Sequence, residues 1–219
     1  MSTWLAIESS TSVGTVALFR NGMCVAERAV AMKGATDERL MPAVVEVLEG
    51  QASPRTIARV LVGAGPGSFT SLRVAAAIAK GLATSTSAEL WALPSLGLIV
   101  PAGTTPGPVL AILDAMRGEW FAALVTVGDG GVPVAVGKPV RVPTDGLAPL
   151  AARHGARILG PSGPVDVTAA PHARGAATLV RAALAHPVDL ATWEPDYGRL
   201  AEAQVKWEAA HGRPLGSVS

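Results

Sequence analysis

The chain has 219 residues, 49% of them hydrophobic and 16% charged, with a formal net charge of +1; that length holds one large domain or two small ones, and the even charge balance without a Lys/Arg run speaks against a dedicated nucleic-acid binder. Mean hydropathy is +0.38, but it comes from Ala and Val spread along the chain, and no stretch approaches the roughly 20 apolar residues a membrane span needs. The N-terminus lacks a basic signal segment and the single cysteine, Cys24, cannot form an intrachain disulfide, so a cytoplasmic location is expected.

Trp4 to Ile7 is a short apolar run that ends at Glu8 and the polar turn Ser9 to Ser12. Val13 to Phe19 and Met23 to Val30 read as two strands joined by the hairpin turn Asn21-Gly22, since both turn residues tolerate positive φ. Thr36 or Asp37 caps a helix running to about Glu49, with Gly50 as its stop and Pro42 kinking its start or delaying its onset. Ser53-Pro54 opens a brief helical turn before the strand Val60–Val62. The glycine turn Gly63-Ala64-Gly65-Pro66-Gly67 follows, and Ser68 or Thr70 caps a helix to about Ala83. Glu89 to Leu93 is a further strand, and Pro94-Ser95 starts a further helix.

Pro101 to Pro108 reads as a linker. The same order of elements then returns: strands at Val109–Leu113 and Glu119–Val127, an extended, proline-broken Val132–Val142, a helix from Asp145 to Arg153, a strand at Ala156–Leu159 and a helix at Ala173–Ala185. Leu200 to Ala210 reads as an amphipathic tail helix. The expected domains are therefore 1–105, 106–199 and a tail 200–219. Two β-β-β-α-β-α units predict an α/β fold, a duplicated ribonuclease-H-like domain. ATP-dependent members of that class hold nucleotide between the copies, an analogy of fold and not of activity.

The glycine turn can aim backbone N–H groups at an anion. It is not a P-loop, because no Gly-Lys-Ser/Thr follows, and its G-x-G-x-G spacing is not the dinucleotide fingerprint. Pro66 also removes one N–H. Glu8, Gly65, Gly67, Ser68 and Thr70 are the candidate nucleotide contacts. Glu8 stands at a strand end that would face the cleft, though it can equally bond its own Ser/Thr turn. Asp114 is its counterpart, but Ala115-Met116-Arg117-Gly118 supplies only one glycine for a second phosphate turn. His154, His172, His186 and His211 show no metal-ligand spacing, and Ser68 reads as a helix cap rather than a nucleophile. No catalytic residue and no metal are expected. The helix Leu72–Ala83 carries only Arg73 and Lys80 as charges. A helix apolar almost all round is buried on more than one side, so a protein partner is expected against it.

Five pieces of the chain carry a resemblance: LAIESST at 5–11, RLMP at 39–42, GAGPGSFTSLRVAAAIAKGLA at 63–83, LDAMRGEWFAA at 113–123 and EPDYGR at 194–199. In this order they resemble the TsaB (YeaZ) family, accessory proteins of tRNA threonylcarbamoyladenosine synthesis, over nearly the whole chain. The resemblance implies a fold similar to actin-like and Hsp70-like ATPases and a non-catalytic scaffold. It would pair with a larger TsaD-like catalytic paralogue that transfers threonylcarbamoyl to the adenosine beside the anticodon. A TsaE-like ATPase would join the pair, self-pairing would use the same surface, and tRNA would be met through the complex. No cofactor is implied for the chain alone, with ATP or ADP expected at most at a shared interface. The implied interface comprises Leu40, Val44, Val47, Leu72, Ala75, Ala76, Ala79 and Ala83. The chain departs from the family pattern at Glu8, Thr36, Ser71 and Gly198, where aspartate, histidine, glycine and leucine are usual. An ATP-dependent small-molecule kinase of the same fold is the competing expectation.

Overall fold

The computed structural model describes residues 2–32, 38–198 and 211. Among these described residues, two six-stranded sheets make up the fold. In the first, β1 (Thr3–Glu8), β2 (Val13–Arg20) and β3 (Met23–Ala31) form an antiparallel meander, and β4 (Ile57–Gly63) and β5 (Glu89–Leu93) extend it in parallel from the β1 edge. The second repeats the plan. Here β6 (Gly107–Met116) pairs antiparallel with β7 (Glu119–Gly128), whose far edge is shared by β8 (Val132–Val136) and β9 (Val140–Pro143). The parallel additions are β10 (Arg157–Gly160) and β11 (Val167–Thr168). The duplicated α/β plan expected from element order is present, and the prolines between 132 and 143 account for two short strands where one long one would otherwise run.

Helices α1 (Leu40–Leu48) and α2 (Phe69–Thr86) cover one face of the first sheet. Leu5, Ile7, Val16, Leu18, Val60 and Val62 alternate onto that face and meet them. The expected caps of α1, Thr36 and Asp37, lie outside the described residues. Glu38 does the capping instead: its Oε1 accepts the Leu40 and Met41 backbone N–H groups. Pro42 falls in the first turn, where its missing N–H leaves no intrahelical bond unmade.

The helix surface expected to meet a partner is corrected by the structure. Leu40, Val44, Val47, Leu72, Ala75, Ala76, Ala79 and Ala83 are all buried within this chain, none more than 4% exposed. They form the inward stripes, against the sheet. The outward positions are Met41 and Val45 on α1, exposed to 39% and 55%, and Ala77 and Gly81 on α2, with Val74 and Ile78 half-buried at the edge against the core. Both stripes of α2 recur at helical spacing and both are apolar, so periodicity alone cannot tell inside from outside.

The second correction concerns the domain boundaries. The helix expected over Ala173–Ala185 is a 3-10 turn (Ala173–Gly175) followed by α4 (Ala176–Arg181). It meets the second sheet chiefly at β8. Ala173, Ala176, Ala177 and Leu179 pack on Ala6, Ala17, Phe19, Leu61 and Leu93, the other face of the first sheet. The Thr15 hydroxyl accepts the Ala173 N–H at 2.9 Å. β12 (His186–Pro187) then pairs antiparallel with β5. Residues 173–187 therefore belong with the first sheet, and the expected unit 106–199 is not a self-contained one. The second unit also has no helix between β10 and β11, where the connection is the proline- and glycine-rich Pro161–Asp166; α3 (Thr144–Arg153) is its helix. The expected tail helix at 200–210 lies outside the described residues. No helix among the described residues is long and apolar enough to cross a membrane.

Candidate functional site

The strand ends of the two sheets face a cleft of about 520 Å³. Its polar lining comes from the β1–β2 turn (Ser10, Thr11, Ser12), the start of α2 (Ser68, Thr70), Asp114 at the end of β6, and Ser162. Leu113, Met116 and Phe121 supply apolar wall. Of the five residues expected to contact nucleotide, Gly67, Ser68 and Thr70 line this cleft, whereas Glu8 and Gly65 do not.

Glu8 is sealed in the strand ends beneath the cleft. It is 1% exposed. Its Oε1 accepts the Ser10 N–H at 2.5 Å, and its Oε2 accepts the Ser95 hydroxyl at 2.8 Å. Ser95 Oγ in turn accepts the Gly65 N–H at 3.1 Å. One carboxyl thus ties together the end of β1, the glycine turn and the 3-10 turn after β5. A Cβ on Gly63 would lie 2.0 Å from Glu8 Oε2, so only glycine leaves room for that carboxyl. Burial pushes the Glu8 carboxyl above its ordinary value, and the hydrogen bonds from Ser10 and Ser95 pull it only part of the way back. Of the two readings open for Glu8, the bond to its own Ser/Thr turn is the one made.

The glycine turn is packed tightly from both sides. On one side the Ser68 N–H donates to the Ser10 carbonyl at 2.8 Å, and a Cβ on Gly67 would lie 2.3 Å from that carbonyl. On the other, Gly65 has φ +86°, its peptide to Pro66 is cis, and a Cβ there would lie 2.1 Å from the Asp196 carbonyl. Gly65 therefore serves close packing and a left-handed turn rather than ligand approach. The Asp196 N–H closes the strap by donating to Ala64 O at 2.8 Å. Around it, Lys80 pairs with Glu194 at 2.7 Å, and the Tyr197 and Phe69 rings sit 4.6 Å apart.

Ser68 occupies the N-cap position of α2, but its side chain makes no capping bond. Its Oγ lies 2.9 Å from Ser71 Oγ. The cap role expected of Ser68 is thus positional only, and Ser71 fills the space beside the turn. The α2 terminus favours negative charge, but Asp114 shares the lining and works against it. Asp114 Oδ1 accepts the Met116 N–H at 2.7 Å and holds the β6–β7 hairpin, in which Met116 and Arg117 both take positive φ. Sequence reasoning missed Ser10, Thr11, Ser12 and Ser162 as lining; the hydroxyl run Ser9–Ser12 was the available signal for the first three. Among the described residues no cluster of His, Cys, Asp and Glu could hold a metal ion.

A family profile described as "TsaD: tRNA N6-adenosine threonylcarbamoyltransferase" matches residues 32–158. The tRNA threonylcarbamoyladenosine biosynthesis protein TsaB of Bacillus subtilis is 28% identical over 94% of this chain and 97% of its own length. The Escherichia coli TsaB is 31% identical over 58% of this chain and 57% of its own. Among solved structures, YeaZ from Pseudomonas aeruginosa superposes with a TM-score of 0.73 at 24% identity, over 90% of this chain and all of that one, a likeness of fold.

Proposed function

The chain belongs to the TsaB (YeaZ) family of tRNA threonylcarbamoyladenosine biosynthesis proteins, and from that premise we propose that it is a non-catalytic cytoplasmic subunit that pairs with the TsaD-type paralogue and supports its transfer reaction. The observation that carries this reading is the outward face of α1 and α2. Met41 and Val45 on α1 and Ala77 and Gly81 on α2 are exposed apolar positions, with the half-buried Val74 and Ile78 at their edge and Arg73 one turn before Ala77. A Cβ on Gly81 would meet nothing within 4 Å, so the fold itself does not call for a glycine there, whereas close approach of a second helix would use one. A second support lies in the cleft, where the carboxyl best placed for metal–nucleotide chemistry, Glu8, is consumed by Ser10 and Ser95. A TsaE-type ATPase joins the pair, and tRNA is met through the assembled complex.

The test mixes the chain with the TsaD-type paralogue of its own organism. Comigration on gel filtration is expected, together with threonylcarbamoyl transfer that depends on adding this chain. Transfer at full rate without it would refute the reading. The same outward patch serves self-pairing when the chain is alone, so dilution is expected to dissociate a homodimer. The kinase reading rests on the hydroxyl-lined cleft at the α2 terminus. Calorimetry with Mg-ATP separates the two, since tight binding by the isolated chain, lost in Thr70→Val, would favour the kinase.

A further inference from the structure

A second cavity, of about 690 Å³, is lined by residues of both units, among them 98–102, 130–133 and Arg181 of α4. Its floor is apolar and buried: Leu98, Ile99 and Val100 leave the first unit there, and Leu179 of α4 closes it. This volume suits a small organic ligand, and such sites are mostly apolar with a few placed polar groups.

The polar groups sit on one wall and are basic. Arg174 is already neutralised, its Nη2 lying 2.7 Å from Glu27 Oε1. His172 Nδ1 accepts the Arg174 backbone N–H at 3.1 Å, and burial together with Arg174 holds the imidazole below its ordinary value, so it is neutral at pH 7. Arg181 is different. Its guanidinium lies 3.3 Å from the Thr178 hydroxyl and beside the glycine of the β2–β3 turn, Gly22. No carboxylate lines the cavity among the described residues. The wall therefore carries one uncompensated positive charge over an apolar floor.

We propose that this cavity binds a small organic monoanion, its apolar body on Leu98, Ile99 and Leu179 and its anionic head on Arg181. The site shares only Ala170 with the hydroxyl-lined cleft and no residue with α1 or α2, so it stands or falls apart from the pairing reading.

Cys24 lines the same cavity and is exposed. As the single cysteine of the chain, it reports occupancy. The experiment titrates the full chain with 8-anilinonaphthalene-1-sulfonate and follows both dye fluorescence and the rate of Cys24 alkylation by iodoacetamide. Saturable binding that slows alkylation is expected. Octanoate should displace the dye and 1-octanol should not. Arg181→Gln should weaken binding about tenfold, the loss expected for one charge-assisted hydrogen bond, with an unchanged melting temperature showing that the fold is intact. Absent binding, displacement by octanol as well as by octanoate, an unchanged alkylation rate at saturation, or unchanged affinity in Arg181→Gln would each overturn the proposal.

Discussion

At the scale of single residues, Glu8 is the side chain on which the most structure converges. Its carboxyl accepts from Ser10 and Ser95, which favours the ionised form, but its burial outweighs them and pushes the carboxyl above its ordinary value. The sign follows: a folded-state value above the unfolded one near 4.5 makes its stabilisation complete at acid pH, lost as pH rises through the raised value. Chemical denaturation at pH 5 and pH 8 should show wild type losing stability on the alkaline side, and Glu8→Gln, which is neutral throughout, should show less of that slope. Gly63→Ala places a methyl group against Glu8 Oε2 and should cost about 1 to 3 kcal/mol in the same measurement. The sequence shows Glu8 at a strand end beside hydroxyl residues, which leaves cleft and core equally open. What decides is Ser95, 87 residues away, and no local pattern encodes that meeting.

At the scale of elements, α2 shows where periodicity runs out. Its existence and its start at the glycine turn were legible from Gly67-Ser68 and the long apolar run, and observed Phe69–Thr86 brackets the expected span. Its orientation was not, because Leu72, Ala75, Ala76 and Ala79 on one side and Val74, Ala77, Ile78 and Gly81 on the other offer the sheet equally apolar faces. The two sides now separate by experiment. Ala76→Glu puts an unpaired charge into the core and should destabilise by more than about 3 kcal/mol. Ala77→Glu, on the exposed side, should change stability by no more than about 0.5 kcal/mol while abolishing comigration with the TsaD-type paralogue. Equal melting temperatures for the two variants would contradict the assignment of faces. The meander, by contrast, was plain from Asn21-Gly22, whose turn chemistry fixes the antiparallel pairing of β2 and β3.

At the scale of the whole molecule, the two units are knitted together rather than strung in series. The element order that revealed the duplication also suggested a clean cut at the linker 101–108, because order says nothing about which sheet a helix will cover. Residues 173–187 settle on the first sheet, over Ala17, Phe19, Leu61 and Leu93. A fragment 1–105 should therefore be unable to fold: its near-ultraviolet circular dichroism should be flat, and it should bind hydrophobic dye. A chain cut enzymatically within 102–105 after folding should stay associated on gel filtration. A well-folded, monomeric 1–105 would show that this cover is dispensable.

The return of residues 173–187 also sets a clock on biosynthesis. Between the emergence of β5 and that of β12 the ribosome must add on the order of ninety residues, which at about 5 to 20 residues per second takes roughly 5 to 20 s. Throughout that interval Phe19, Leu61 and Leu93 have no lid and the β5 margin no neighbour. The nascent protein is then at its stickiest, and slow codons placed after residue 187 would do nothing to help it, whereas faster elongation across 106–172 would shorten the wait.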